Sequence, residues 1–183
     1  MSTTKGTYNG PTRVGTIRPS QAIHSYGVGA LIDLPNLSVM VGGLDRWDVT
    51  RQAVITEERL LSAVQARLGP QVDRLLALPA EPQTTNNPYD DWARVGIPVS
   101  VFPRWLRCTA CNRLFPVASG ALKLDYNAHR IDKTRYTHPN CDKARRPPPA
   151  VPARFVTGCT NGHLDEFPWV QFAHDGVAVC ANP

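Results

Sequence analysis

Cys108-Thr-Ala-Cys111, followed further along by His138-Pro-Asn-Cys141, is the stretch on which the fold of this chain turns. Two sulfurs two residues apart on a tight turn can both reach one tetrahedral Zn²⁺, and a second ligand pair closes the shell. Such a thiolate-rich shell is structural and saturated, with no position left for water. It would fix a proline-rich region that has too few apolar residues to fold unaided. Cys108, Cys111, His138 and Cys141 are therefore read as one metal site. Cys159-Thr-Asn-Gly-His163, then His174 and Cys180, form a candidate second site with less regular spacing. A rival grouping places Cys159 in the first shell instead of His138, giving a Cys₄ site, and spacing leaves both open. The expected cofactor is Zn²⁺, one ion or two. No cysteine precedes Cys108, so this chemistry is confined to the second half of the chain.

Composition agrees with a small irregular module. The chain has 183 residues, 42% of them hydrophobic. Its 17 prolines are roughly twice the usual share of about 5%. Short elements joined by extended or turning segments are expected, not a long-helix bundle. Residues 1–10 are polar and lack the apolar core of a signal peptide. No run approaches the ~20 apolar residues of a membrane helix, so a cytoplasmic protein without a membrane partner is expected. Five cysteines, an odd number, argue against a disulfide framework and for metal or free thiols.

Charge is uneven. Residues 1–100 carry nine Lys/Arg and nine Asp/Glu, whereas residues 101–183 carry eleven and six, which accounts for the whole net +5. The basic surplus coincides with the metal-ligand pairs, as expected for a nucleic-acid contact. Arg104, Arg107, Arg113, Lys143, Arg145, Arg146 and Arg154 are the candidate phosphate contacts. The competing reading is a solvated basic surface. Metal binding would also lower the local charge, since three thiolates and one imidazole around Zn²⁺ carry about one net negative charge.

The expected fold class is α+β, a small irregular zinc-stabilised module with short strands and few helices. Residues 1–15 read as a flexible leader and 16–95 as an amino-terminal α/β region. Residues 96–183 read as the basic Cys/His region, expected to be incomplete at its C-terminal end. Pro19 to Tyr26 suits a short helix stopped by Gly27. Val28–Leu34 and Leu37–Val41 suit strands, with Pro35-Asn36 turning between them. The clearest helix runs near 57–68. Thr56 is its expected cap, Glu57 and Glu58 sit at its positive end, and Leu60, Leu61, Val64 and Leu68 share one face. Gly69-Pro70 stops it, and a second short helix is expected over Gln71–Leu78. Residues 80–91 read as loop, Ile97–Leu106 as extended, and 143–152 as a basic polyproline-like connector. Ala153–Thr157 reads as a strand delivering Cys159.

Catalytic signals are weak. Gly27-Val28-Gly29 suits a helix end running into a strand, and no Walker-type Gly-Lys-Ser/Thr is present. Asp165 or Glu166 would be the general base of a metallohydrolase, yet there is no H-E-x-x-H or Ser-His-Asp pattern. Orienting a metal-bound imidazole is the expected role for this acidic pair, and no catalytic residue is expected. Trp169 and Phe167 read as packing around the module. Trp105, between Arg104 and Arg107, suits packing or base stacking.

Four blocks carry a family resemblance: Arg18-Pro-Ser-Gln-Ala-Ile-His-Ser-Tyr-Gly-Val-Gly-Ala-Leu-Ile-Asp-Leu34; Ser38-Val-Met-Val-Gly-Gly-Leu-Asp-Arg-Trp47; Phe102-Pro-Arg-Trp-Leu-Arg-Cys-Thr-Ala-Cys111; and Val151-Pro-Ala-Arg-Phe-Val-Thr-Gly-Cys-Thr-Asn-Gly-His-Leu-Asp-Glu-Phe-Pro-Trp169. Together they resemble the DrmB family of the DISARM anti-phage system. The resemblance implies a helicase-like ATPase as partner and phage DNA as target; no small-molecule substrate is expected. Members are several times longer, so this chain is expected to be an amino-terminal portion. The function expected is that of a non-catalytic accessory subunit helping a helicase-type ATPase bind foreign DNA. The alternatives are a zinc-stabilised protein–protein scaffold without DNA contact and a metal-dependent hydrolase.

Overall fold

A computed structural model of the chain describes residues 12–80 and 85–176. Proline and glycine interrupt the apolar runs so often that every element is short. In chain order these are α1 (Pro19–His24), β1 (Leu31–Asp33), β2 (Ser38–Val41), β3 (Val54–Ile55), α2 (Glu58–Leu68), β4 (Leu75–Leu76), β5 (Val99–Val101) and β6 (Trp105–Cys108). Then follow β7 (Leu114–Pro116), β8 (Lys123–Asp125), β9 (Arg135–Thr137), β10 (Pro149–Pro152), β11 (Val156–Gly158), β12 (Leu164–Glu166) and α3 (Trp169–Ala173). Few helices and many short antiparallel strands make this an α+β fold.

Two antiparallel sheets hold the module together. The first has the order β1-β2-β5, and the second the order β7-β6-β10-β9-β8. Ile32, Leu37, Val39 and Val41 form the core of the first, with Val14 and Ile17 packed on it. Val14 thus anchors the end of the expected leader, whose residues 1–11 lie outside the described residues. The second sheet has a thinner core of Leu106, Leu122 and Ala150, covered by Phe115 and Val117. Tyr136 packs against both cores. The Asn36 side-chain amide donates to the Asp132 carbonyl at 2.9 Å, a second tie between the sheets.

Along β6 the side chains alternate with the two-residue period of a strand. Leu106 and Cys108 are fully buried, whereas Arg107 between them is exposed. The metal-ligand sulfur therefore rises from the same buried row as the core leucine.

Three expectations need correction. The capping residue of α2 is Glu57, whose carboxylate accepts from the Arg59 N–H at 3.3 Å, rather than Thr56. Residues 71–78 are not a helix. Leu75–Leu76 pairs with Val54–Ile55 instead, because β-ladder partners were available where a short isolated helix would have been marginal. The polyproline-like connector 143–152 ends as β10, the central strand of the larger sheet. Its prolines lack N–H groups but keep their carbonyls. Pro149 accepts from Thr109 N–H at 3.1 Å, and Pro148 accepts from His138 N–H at 3.0 Å. Pro149 and Pro152 stand at the two ends of β10, where the missing donors do least harm. Among the described residues no helix is long and apolar enough to cross a membrane.

Candidate metal centre

Two turns meet at one edge of the larger sheet. The first leaves β6 at Cys108 and returns as β7. Cys108 N–H donates to the Arg113 carbonyl at 3.0 Å, and Asn112 N–H donates to the Cys108 carbonyl at 3.0 Å. The tightness of this turn requires a left-handed residue, and Asn112 supplies it at φ +59°. Asparagine tolerates that conformation better than most residues. The second turn follows β9 and presents His138 and Cys141.

The ligand atoms of Cys108, Cys111, His138 and Cys141 all lie within 4.8 Å of one another. The Sγ atoms of Cys108 and Cys141 are 3.8 Å apart, and Cys111 Sγ lies 3.7 Å from His138 Nδ1. Zn–S bonds of about 2.3 Å and Zn–N bonds of about 2.0–2.1 Å set the edges of a tetrahedron. Those edges come to about 3.8 Å for S···S and about 3.5 Å for S···N. The observed separations fit this shell, and the sulfurs are far beyond the roughly 2.05 Å of a disulfide. Cys108, His138 and Cys141 are buried, and Cys111 is partly exposed. Four donors of this kind can hold a metal ion. The group contains His138 and not Cys159, so it takes the Cys₃His form rather than the Cys₄ alternative.

The surroundings prepare the sulfurs unequally. Burial pushes the Cys108 thiol up, but N–H groups of Cys111 and Ala110, with the side chains of His138 and Cys111, outweigh it and bring the thiol down to about 6. Burial pushes the Cys141 thiol up, opposed by the Lys143 N–H and reinforced by the neighbouring Cys108 and Cys111 sulfurs. The His138 ring lies against Phe115 with centroids 4.6 Å apart. Asn112 and Phe115 both support the site. The Asn after the second cysteine was a readable signal for the turn, whereas nothing in sequence spacing pointed to Phe115.

The other site residues divide sharply. Cys159 Sγ lies 3.3 Å from His163 Nδ1 on the exposed tip of the β11–β12 hairpin. His174 stands at the C-terminal end of α3, and Cys180 lies outside the described residues. Among the candidate phosphate contacts, Arg104 pairs with Glu166 at 3.1 Å, Arg113 with Asp142 at 3.7 Å and Arg154 with Asp33 at 3.9 Å. Arg107 donates to the Asn112 side-chain carbonyl at 2.5 Å. Lys143, Arg145 and Arg146 are exposed on the loop directly after Cys141. The Glu166 carboxylate accepts from both the backbone N–H and the guanidinium of Arg104, so it ties the hairpin to the sheet. The Trp169 and Phe167 rings pack at a tilt with centroids 4.6 Å apart, within a small aromatic cluster, in keeping with packing.

Fold and site together define an α+β module built around a buried Cys₃His metal-ligand group. Over residues 18–183 the chain matches the family described as a domain of unknown function, DUF8724, and it belongs to that family. It is similar to the DISARM protein DrmB of Bacillus paralicheniformis, with 34% identity over 80 residues. That alignment covers 43% of this chain and 12% of the relative, so the likeness spans a small part of the relative's length.

Proposed function

We propose that this chain is a non-catalytic accessory module of a multi-protein, DISARM-type anti-phage complex, acting in the cytoplasm beside a helicase-like ATPase. In this reading, Zn²⁺ on Cys108, Cys111, His138 and Cys141 cross-links the sheet edge and leaves no open coordination position. The similarity to DrmB supports the defence role. The DNA-binding part of the reading rests on one observation. Four of the seven candidate cations are engaged by neighbouring side chains. Lys143, Arg145 and Arg146 remain, on a loop anchored at one end by the ligand Cys141 and at the other by buried Pro148. The metal would thus hold a basic loop in a set shape, ready for phosphates. The engagement of Glu166 by Arg104 favours a structural carboxylate over a hydrolytic base.

Duplex DNA binding should weaken linearly in log–log form with salt. Each neutralised phosphate contributes about 0.9 to the slope. Replacing Arg145 and Arg146 together by Ala should make the slope shallower by roughly 1.8. A wild-type affinity that does not respond to salt, or an unchanged slope in the double variant, would remove DNA contact from this reading.

A second reading, a protein–protein scaffold, has its own support. Val54 at 57%, Leu60 at 49% and Leu68 at 62% exposure leave the β3–α2–β4 segment with an uncovered apolar surface. Co-purification with the ATPase, without a DNA mobility shift by this chain, would favour that reading.

A further inference from the structure

The β11–β12 hairpin carries a pair of donors that the buried metal group does not use. Its ladder runs Val156↔Glu166, Thr157↔Asp165 and Gly158↔Leu164. The next rung is Cys159 with His163, closed by Cys159 N–H donating to the His163 carbonyl at 3.1 Å. Gly162 N–H returns to the Cys159 carbonyl at 3.0 Å, and Gly162 takes the left-handed conformation at φ +82°. Residues directly opposite on an antiparallel pair present their side chains on the same face. Cys159 Sγ and His163 Nδ1 accordingly meet at 3.3 Å.

This repeats the device of the buried centre. There too a cysteine opens a tight turn, a left-handed residue closes it, and a backbone bond returns to the cysteine carbonyl. The difference lies in exposure: Cys108 is fully buried, whereas Cys159 and His163 are both open to solvent. The hairpin is also braced. Thr157 Oγ1 donates to the carbonyls of Asp165 and Glu166 at 3.3 Å, and the Glu166–Arg104 pair fastens the hairpin to the larger sheet.

We infer that Cys159 and His163 form a second metal-binding chelate, selective for a thiophilic divalent ion such as Zn²⁺. Their separation is close to the about 3.5 Å edge between a sulfur and a nitrogen ligand on tetrahedral zinc. Thiolate with imidazole is a donor pair that zinc accepts and that Mg²⁺ or Ca²⁺ does not. Binding displaces the Cys159 thiol proton to solvent and leaves two tetrahedral positions for donors from outside the hairpin. Among the described residues no third His, Cys or carboxylate joins this pair. The ion is therefore held at an exposed tip, and the inference stands independently of the DNA reading.

The test is a Co²⁺ titration of the full 183-residue chain, read by the thiolate-to-cobalt charge-transfer band, with elemental analysis of the zinc form. Wild type should take up two equivalents. Cys159→Ser and His163→Ala should each take up one, with circular dichroism unchanged, because neither side chain belongs to a core. Cys111→Ser should lose the other equivalent. If that variant fails to fold, the two hairpin variants still decide the matter. A single equivalent in wild type, or two retained in both hairpin variants, would overturn the second site.

Discussion

At the scale of single residues, the buried centre is set by how the protein treats two sulfurs differently. Cys108 has no exposure at all, which by itself would keep its thiol protonated. Backbone N–H groups aimed at the sulfur reverse that effect, as they do for other buried anions. The thiol comes down to about 6. The sign of the consequence follows directly. A cysteine whose folded value is depressed favours the folded state fully above its unfolded value of roughly 8.5. That contribution is lost as pH falls through the folded value. Metal affinity follows the same rule, because each ligand must be deprotonated to bind. Above about pH 6 Cys108 is already ionised and adds nothing to the pH dependence. Below it, one more proton competes with the metal. Plotted against pH, the logarithm of zinc affinity should steepen by at least about one unit on crossing that value. Competition with a chelating indicator between pH 5 and 8 would measure it, and a slope that stays constant would contradict the assignment of Cys108 as the pre-ionised ligand.

At the scale of elements, β10 decides whether the two ligand turns meet. Ala150 pairs with Cys108 on one side and with Tyr136 on the other, and it is 1% exposed. Side chains directly opposite one another share a face of the sheet, so a larger side chain there must crowd Cys108 and Tyr136 and displace the cysteine turn from the His138 turn. Ala150→Leu should cost about 1–3 kcal/mol of stability, seen as a lowered Tm, and should weaken metal binding although no ligand is altered. An unchanged Tm and metal affinity would show that the ligand turns are positioned without β10. This strand was hidden in the sequence, because Pro149-Ala-Val-Pro152 has the composition of an extended linker. The Pro148 and Pro149 carbonyls accept from His138 and Thr109, and Ala153 N–H donates to the Trp105 carbonyl, so the segment joins a sheet despite its prolines. The ligand spacing was legible, since Cys108, Cys111, His138 and Cys141 follow the pattern of two knuckles. The choice of His138 over Cys159 was not, because it depends on strand order, which spacing does not contain. The first two strands were readable for the opposite reason. Leu31–Asp33 and Ser38–Val41 pair locally across Pro35-Asn36, so their partner is the next segment in the chain. Residues 71–78 misled because a run with leucines at Leu75, Leu76 and Leu78 suits a short helix as well as a strand.

At the scale of the whole molecule, the two sheets differ in what holds them. The β1-β2-β5 sheet has four buried aliphatic side chains and a wide border of half-buried ones. Among the described residues the apolar core of the five-stranded sheet is smaller, formed by Leu106, Leu122 and Ala150. Fully burying a leucine contributes about 1.5–3 kcal/mol, and an alanine much less. A structural zinc site contributes about 10–16 kcal/mol in small peptides at neutral pH. With five strands and the cysteine and His138 turns to order, the metal term outweighs the apolar one in the larger sheet and not in the smaller. Removing the metal with a chelator should therefore act unevenly. Amide hydrogen exchange should lose most of its protection at Leu106, Tyr136 and Ala150, by 100-fold or more at an unfolding difference of about 3 kcal/mol. Val39 and Val41 should keep theirs to within about tenfold. Among the described residues Tyr136 is the one side chain packed in both cores, so some loosening will pass through it to the first sheet. Equal loss at Val41 and Leu106 would mean that the two sheets unfold as one unit and that the apolar contacts through Tyr136 couple them more strongly than the metal separates them. Full protection at Leu106 after chelation would mean that the larger sheet stands without metal, and the stabilising role assigned to the Cys₃His group would fall.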